Sequence, residues 1–296
     1  MADKTKKPTI GILIPTYQGV KHLKSCLLPL LQSSLNPRIL VIDSSSKDGT
    51  AQLVRSLGVE LVIIPKKEFN HGATREWGRK MLATDIVVMI TQDAYPTCSN
   101  MLNKLLAPLL HHQASVSYAR QIPHKNAGLL AAFARKFNYP STSHIRNIND
   151  SKHFGVYTFF CSNSCAAYLN QALDEVGGFP SLPFGEDTAV VAKLLHQNHS
   201  IAYVSEAVVY HSHDYSLMQE FYRHIEIGSF REKIKHLIAL GGNDRKRGSA
   251  YTKALFKELL RKRKRLLPYA FLQISAKFLG YQIGKMYTKY FSSKKF

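Results

Sequence analysis

Four short apolar runs near the start of the chain constrain its fold more than any other feature. They occupy residues 9–15, 38–43, 59–65 and 85–91, and segments with helical leucine spacing or helix-capping residues separate them. Strands that are apolar throughout and alternate with helices are typical of a parallel sheet covered on both faces. The sequence therefore predicts an α/β fold with a mostly parallel central sheet and helices on both sides of it.

The ends of these runs indicate where a ligand would bind. Parallel sheets bind ligands at the carboxyl ends of their strands. Three of the four runs end in polar or acidic side chains that a core does not need, and two acids at neighbouring strand ends repel each other unless a cation or ligand donors lie between them. We therefore expect the functional site at this edge, among Pro15, Thr16, Tyr17, Asp43, Gln92 and Asp93.

Two later motifs carry further candidate groups. In G-E-D-T, Glu186 and Asp187 open a predicted helix, either as first-turn acids that the helix dipole favours or as a general base facing the strand ends. In H-S-H, His211 and His213 alternate along a strand and so share a face. They are either hydrogen-bonded core residues or, since neutral imidazole is a common ligand, a site for Mn²⁺ or Mg²⁺.

The segment F-N-H-G-A-T-R, residues 69–75, ends a loop and begins a helix. Gly72 permits close approach, the free N–H groups of the first turn would face an anion, and Arg75 one turn later would pair with phosphate. The alternative is a capped helix with a surface arginine. The chain has no G-x-x-x-x-G-K-[ST] loop and no strand-borne G-x-G-x-x-G, which disfavours kinases and dinucleotide enzymes.

Taken in order, the motifs I-P-T-Y, V-I-D-S-S-S-x-D, F-N-H-G-A-T-R-E-x-G, T-Q-D-A, F-G-E-D and H-S-H resemble glycosyltransferase family 2 over roughly residues 8–235. More narrowly, the chain is similar to bacterial rhamnosyltransferases of surface-polysaccharide assembly. The resemblance implies the Rossmann-like GT-A fold and an inverting sugar transfer assisted by Mg²⁺ or Mn²⁺. It also implies a nucleotide-diphosphate donor, with dTDP-rhamnose favoured, and a lipid-linked or polysaccharide acceptor.

The same resemblance implies roles for individual residues. Asp187 would be the catalytic base with Glu186 beside it, and Asp93 would hold the metal together with His211 or His213. The T-Q-D sequence departs from the D-x-D of many relatives, so the metal would depend on the donor diphosphate for further ligands. The nucleotide-sugar site would comprise Pro15, Thr16, Tyr17, Asp43, His71, Gly72, Arg75 and Gln92.

The positive charge of the chain is concentrated at its end. Residues 245–296 contain 15 Lys and Arg and one acid, and so carry +14 of the net charge of +20. Five consecutive cations at 261–265 precede a segment whose apolar side chains share one helical side, which is typical of a helix lying in the plane of a membrane surface. The alternative is a helix packed on the catalytic domain with a solvated charged face. We therefore predict a catalytic domain at 1–240 and a basic membrane-association segment at 241–296.

The remaining sequence features predict where the protein is located and which other functional classes are possible. The short apolar run after the basic start is too short for a signal peptide, and the four cysteines form no C-x-x-C pair, so a cytoplasmic protein at the inner face of an anionic membrane is expected. A nucleic-acid-binding protein is the main alternative, because the pI is about 9.8. No nucleic-acid partner is expected, since the charge lies outside the folded core. A nucleotidyltransferase on a related sheet is a second alternative, although it would need a Gly-rich phosphate loop after the first strand.

Overall fold

The computed structural model describes residues 7–291, so the ends of both predicted domains lie outside the described residues. The strands are β1 (Ile10–Thr16), β2 (Arg38–Asp43), β3 (Glu60–Ile63), β4 (Ile86–Ile90), β5 (Tyr95–Pro96), β6 (Val116–Ile122), β7 (His144–Arg146), β8 (Cys165–Leu169) and β9 (Ile201–Tyr210). The helices are α1 (Val20–Leu31), α2 (Thr50–Ser56), α3 (His71–Leu82), α4 (Met101–Leu110), α5 (Leu129–Asn138), α6 (Ser151–Phe154), α7 (Asn170–Glu175), α8 (Glu186–His196), α9 (Leu217–Lys233), α10 (Lys235–Ile238), α11 (Arg245–Lys262) and α12 (Leu267–Phe291).

The chain divides into two compact units. The first contains the residues up to 122 together with 139–148 and 160–211, and the second contains 123–138, 149–159 and the residues from 212 onward. The predicted boundary after residue 240 therefore falls inside the second unit. The difference arises because α12 packs along α9, so that α9 belongs with the basic helices and not with the sheet.

The first unit is built on a sheet whose strand order is β3-β2-β1-β4-β8-β6-β9-β5, with β7 paired to β9. β3, β2, β1 and β4 run parallel, β8 is antiparallel to β4 and β6, and β6 is parallel to β9. Six of the strands among the described residues, β1 to β4, β6 and β9, consequently point the same way. This confirms the predicted mostly parallel sheet, into which antiparallel strands are also inserted.

Helices cover both faces of this sheet. Alternate side chains of β1 point to opposite faces. Ile12 and Ile14 belong to the buried cluster that also contains Leu23 of α1. Leu13 points the other way and lies beside Gly78 of α3. β1, β2 and β4 are thus buried along most of their length, whereas the edge strand β3 is partly exposed, and polar residues follow the carboxyl ends of β1, β2 and β4.

The second unit consists of helices among the described residues: α5, α6 and α9 to α12. Its small core cluster contains Leu255 and Leu259 of α11 and Ala270 of α12, with Leu129 and Phe133 of α5 packed against it. The predicted basic segment at 241–296 contains α11 and α12. Pro268 is the second residue of α12, a position where a missing N–H costs no helical hydrogen bond. Within residues 7–291, no helix combines the length and apolar content that crossing a membrane requires.

Candidate active site

Asp93 and His211 form an acid–imidazole pair in the first unit. Asp93 lies in the turn after β4, and His211 directly follows β9. Nε2 of His211 is 3.5 Å from Oδ2 of Asp93, and the two side chains are 8% and 21% exposed. One cation can contact both atoms at this separation, because Mg²⁺–ligand distances are about 2.1 Å. A carboxylate and a neutral imidazole are also a ligand pair that suits Mn²⁺.

A hydrogen bond from the neighbouring strand orients the imidazole. Nδ1 of His211 lies 2.8 Å from Oε1 of Gln121, while the Gln121 amide nitrogen donates to Oγ of Ser162 at 2.9 Å. The amide carbonyl therefore faces the ring and accepts a hydrogen bond from Nδ1–H, which leaves the Nε2 lone pair facing Asp93. Such second-layer hydrogen bonds commonly fix the orientation of metal-binding histidines. Sequence reasoning missed Gln121, although its place next to the carboxyl end of β6 was an available signal.

Gln92 joins the ends of β1 and β4. Its Oε1 accepts hydrogen bonds from the Thr16 hydroxyl and from the Tyr17 N–H (3.0 Å), and its Nε2 donates to the Tyr17 carbonyl at 3.1 Å. A carboxylate can accept but cannot donate, so an acid here would place a negative charge against the Tyr17 carbonyl. This accounts for an amide, and not an acid, at the middle position of the T-Q-D motif. Its predicted contact with the nucleotide sugar stays a prediction.

The residues at the end of β1 differ in their accessibility. Pro15 and Thr16 are buried, whereas the Tyr17 ring is 40% exposed. Nζ of Lys66 lies 4.1 Å from the centre of that ring, and this neighbouring ammonium lowers the pKa of the Tyr17 hydroxyl. An exposed aromatic ring beside a cation is suited to stacking on a base while the cation attracts phosphate. The predicted contacts of these residues with the nucleotide remain predictions.

Asp43 does not stand next to Asp93, contrary to the reasoning from strand ends. β1 lies between β2 and β4 in the sheet, so the two acids are not at neighbouring strand ends. Asp43 is buried, and its carboxylate accepts hydrogen bonds from the N–H (3.1 Å) and the hydroxyl of Ser46. A cation is therefore not needed between Asp43 and Asp93. Of these two acids, Asp93 alone stays a candidate metal ligand. The role of Asp43 in nucleotide binding stays a prediction.

The first turn of α3 is capped within the chain. Oδ1 of Asn70 accepts hydrogen bonds from the N–H groups of Gly72 (3.1 Å) and Ala73 (3.0 Å), and the Gly72 N–H also lies 2.9 Å from the Leu182 carbonyl. The expectation that these N–H groups are free donors for an anion is therefore wrong. Gly72 is needed for another reason: a Cβ there would lie 1.7 Å from the Pro180 carbonyl oxygen.

Arg75 forms a buried ion pair. Its side chain is 3% exposed, and Nη1 lies 3.0 Å from Oε1 of Glu186 and 2.9 Å from Nδ1 of His71. The alternative of a surface arginine is therefore excluded. Removing one partner of a buried pair leaves an uncompensated charge and typically costs about 3–5 kcal/mol. Arg75 thus anchors the acid next to Asp187, and its predicted approach to the donor diphosphate stays a prediction.

Asn163 holds both acids of the G-E-D-T motif. Its side-chain nitrogen donates to Oε1 of Glu186 at 2.9 Å, and its backbone N–H donates to Oδ2 of Asp187 at 3.2 Å. Its side-chain oxygen accepts a hydrogen bond from the buried Tyr168 hydroxyl at 2.8 Å. Sequence reasoning missed Asn163, because a polar residue in an irregular segment carries no periodic signal.

Asp187 has the electrostatics of a general base. It lies in the first turn of α8, which Gly185 introduces with a left-handed φ of 78°, and its Oδ1 accepts the Thr188 N–H at 2.6 Å. Burial, and then the negative charge of Glu186, raise the pKa of Asp187 from 3.8 to about 6. A carboxylate with this pKa is mostly ionised at pH 7 and is a stronger proton acceptor than an ordinary aspartate.

The last predicted ligand, His213, belongs to the second unit. It follows His211 by two residues, and its ring stacks on Tyr215 with ring centres 5.1 Å apart. The His211 imidazole has both an orienting partner and a facing carboxylate, and which of the two histidines binds a metal stays a prediction. A contribution from His213 stays a prediction.

Comparisons with known proteins identify the family of the chain. The model of the family described as glycosyl transferase family 2 matches residues 11–177. The chain is 35% identical over 280 residues to the O-antigen chain rhamnosyltransferase RfbN of Salmonella typhimurium, covering 93% of this chain and 89% of that protein. It is 34% identical to the O-antigen chain rhamnosyltransferase WbaN of Salmonella anatum, covering 94% and 90% of the two chains.

Solved structures agree on the fold. The mannosyltransferase PcManGT from Pyrobaculum calidifontis, solved with GDP-Man and Mn²⁺, matches with a TM-score of 0.64 and 15% identity over 99% of this chain and 90% of that one. The TarS fragment 1–349 of S. aureus, solved with UDP-GlcNAc, matches with a TM-score of 0.55 over 95% and 91% of the two chains. The family match covers more than half of the chain, and the identity to RfbN extends over nearly all of it. The chain therefore belongs to glycosyl transferase family 2.

Proposed function

We propose that this protein is an inverting rhamnosyltransferase of bacterial surface-glycan synthesis, which uses dTDP-rhamnose as the donor and a lipid-linked saccharide as the acceptor. The observation that carries the reaction type is the Asp187 carboxylate, held by two backbone N–H groups and raised to a pKa of about 6. The sugar and the acceptor class rest on the identity to two O-antigen chain rhamnosyltransferases over nearly the whole chain.

In this proposal the reaction is a single displacement. Asp187 accepts the proton of the acceptor hydroxyl as that oxygen bonds to the anomeric carbon, while the bond from this carbon to the diphosphate oxygen breaks. Asn163 and Thr188 keep the carboxylate in place through their N–H groups. Holding the base in position and providing the proton acceptor are the contributions that the chain itself makes to the rate.

The diphosphate leaving group requires a compensating positive charge. Asp93 and His211 would hold Mg²⁺ or Mn²⁺ for this purpose, with His213 as a further candidate ligand, and the bound ion would stabilise the charge of the departing diphosphate. Asp93 is the one acid of the T-Q-D motif, and the Gln92 side chain is engaged with Thr16 and Tyr17. We therefore expect the donor diphosphate to complete the coordination, so that metal and donor bind together.

The donor nucleotide would lie along the ends of β1 and β2. In this arrangement the exposed ring of Tyr17 stacks on the base, Asp43 and Thr16 line the same edge, and Lys66 lies close to the ring. We further propose that the protein acts in the cytoplasm at the inner, anionic face of the membrane, where a lipid-linked acceptor would be presented.

A donor screen tests the proposed function. The full chain is incubated with dTDP-rhamnose or with UDP- and GDP-sugars, with Mg²⁺ or Mn²⁺, and nucleotide release is recorded with and without a lipid-linked acceptor. Asp187→Asn should lower turnover by about 100-fold or more, the scale for losing a positioned base. Glu60→Gln is the matched carboxylate-to-amide control, because Glu60 is 47% exposed and pairs with Arg38 at the surface. Release from another donor but not dTDP-rhamnose would reject the sugar, and normal turnover of Asp187→Asn would reject the mechanism.

A further inference from the structure

Helix α12 packs on α9 through small residues. A Cβ on Gly280 would lie 2.3 Å from the Phe221 carbonyl oxygen, and one on Gly284 would lie 2.0 Å from that of Ile225. On the facing helix, a Cβ on Gly228 would lie 2.1 Å from the Tyr281 carbonyl oxygen. The two helix backbones are therefore nearly in contact, which only glycine permits. Several large apolar side chains of α12 lie outside this contact and are exposed.

Those side chains instead form an exposed stripe. Residues three, four and seven positions apart lie on one side of a helix. Five residues with this spacing are between 46% and 63% exposed and share the side of α12 turned away from the glycines: Leu272, Leu279, Ile283, Met286 and Tyr290. We call these five residues the α12 stripe. Phe271 and Phe278 flank it and are 63% and 59% exposed. A continuous exposed apolar surface of this length marks an interaction site, because isolated domains rarely expose one.

The charges around α12 indicate what covers the stripe. The stripe itself contains no charged residue, and Lys277 and Lys285 point to the other side, where they pair with Glu220 and Glu232 of α9. Five exposed cations, residues 261–265, end one residue before the helix begins. A second copy of the chain would bring two such strongly cationic segments together, which costs electrostatic repulsion. An anionic bilayer instead offers apolar depth for the stripe and negative headgroups for the cations.

We propose that the α12 stripe is a membrane-docking face that lies in the plane of an anionic bilayer, with residues 261–265 contacting the lipid headgroups. This deepens the membrane association proposed above by naming the face and its orientation. The packing of α12 leaves the helix no other orientation on α9, because rotating it would drive large side chains into the backbone contact at Gly280 and Gly284. The folded protein therefore exposes the docking face without bound lipid.

Vesicle co-sedimentation of the full chain tests this proposal. We expect binding to vesicles of phosphatidylcholine with phosphatidylglycerol, and at least tenfold weaker binding to phosphatidylcholine alone, since each cation near the surface contributes several-fold. The double variant Leu279→Gln/Ile283→Gln should weaken binding to the anionic vesicles by about tenfold through lost apolar burial. The triple variant Arg263→Gln/Lys264→Gln/Arg265→Gln should weaken it by at least as much.

Ile63→Gln is the matched control. Ile63 is 48% exposed, close to the 46% of Ile283, but it lies in the sheet unit. Equal binding by the stripe variant and this control, or equal binding to neutral and anionic vesicles, would overturn the proposal. It would also be overturned by a dimer in solution that the stripe variant dissociates, because the stripe would then be covered by a second copy. Thermal unfolding confirms that the variants fold. Nucleotide release from the donor, measured in the absence of membranes, should be unchanged in the stripe variant, so a failed transferase assay and a failed docking assay are separate results.

Discussion

The raised pKa of Asp187 predicts how the stability of the fold, as well as the reaction rate, depends on pH. This pKa is raised from 3.8 to about 6 by burial and by the nearby charge of Glu186. The folded state therefore keeps this proton to a higher pH than the unfolded chain does, and stability must fall as the pH rises through this window. A rise of this size corresponds to about 3 kcal/mol, since one pKa unit is worth about 1.4 kcal/mol.

The perturbation is Asp187→Asn, compared with the unchanged protein at two pH values. The variant cannot ionise at this position, so it lacks the loss of stability between pH 4 and pH 7.5. At pH 4 the unfolded chain is already partly ionised at Asp187, so part of the loss of stability has occurred before this pH. The difference in unfolding free energy should therefore shift in favour of the variant by about 2 kcal/mol between pH 4 and pH 7.5. Comparing the shift, and not the absolute stability, removes the constant cost of a disturbed hydrogen bond to Asn163 or Thr188.

Urea denaturation monitored by tryptophan fluorescence and circular dichroism measures this shift. Asp174→Asn is a control of opposite sign, because hydrogen bonding to Lys80, followed by the bond to Arg79, lowers the pKa of Asp174. An acid with a lowered pKa stabilises the fold once it is ionised. Relative to the unchanged protein, this variant should therefore not gain stability between pH 4 and pH 7.5. A pH-independent difference for Asp187→Asn would refute the reasoning, since it would mean that the carboxyl has the same pKa in the folded and unfolded states.

Three further perturbations test other parts of the structure. His211→Ala should weaken Mn²⁺ binding in the presence of the nucleoside diphosphate by more than about tenfold by calorimetry, a loss on the scale seen for groups that support metal sites; unchanged affinity would remove this imidazole from the site. Arg75→Gln removes a cation that lowers the pKa of Asp187, so the acidic limb of the kcat/KM profile should move to higher pH, and an unmoved limb would contradict the coupling. Gly284→Leu places a side chain against the Ile225 carbonyl and should destabilise the helical unit by about 3 kcal/mol in urea unfolding; a neutral effect would show that the helices can separate freely.

The sheet could be predicted because its signal is local and repeated. The apolar runs of β1, β2 and β4 are buried along most of their length, and the run of β3 lies at the partly exposed edge of the sheet, so all four parallel strands correspond to runs in the sequence. The sheet order could not be predicted, since it depends on pairing between distant segments. For that reason the sequence placed Asp43 and Asp93 at neighbouring strand ends, whereas β1 lies between them.

The residues of the candidate site likewise include some that the sequence indicates and some that it does not. Asp93, Asp187 and His211 follow from motifs, because each lies next to a strand or helix end that the sequence marks. Gln121 and Asn163 do not, since they act by supporting a neighbour from another element and carry no motif of their own. The first turn of α3 was misjudged for a related reason. Asn70 was present in the sequence as a capping residue, and a capped turn has fewer N–H groups to offer to an anion.

In α12 one side carries large apolar residues and the other carries glycines, and the glycines determine which side is packed against α9. Periodicity identified its apolar side, and the usual expectation is that such a side packs inward. The glycines contradict that expectation. Gly280 and Gly284 lie one turn apart, and Gly228 lies on the partner helix, so the contact that tolerates no side chain must be the buried one. Small residues at this spacing bring helix backbones together, and the exposed stripe lies on the other side of α12, while Leu267 and Ile274 pack against the Leu255 cluster. An exposed apolar stripe is costly in water, and its retention along a 25-residue helix is accounted for by a surface that buries it, which the cations at 261–265 identify as anionic.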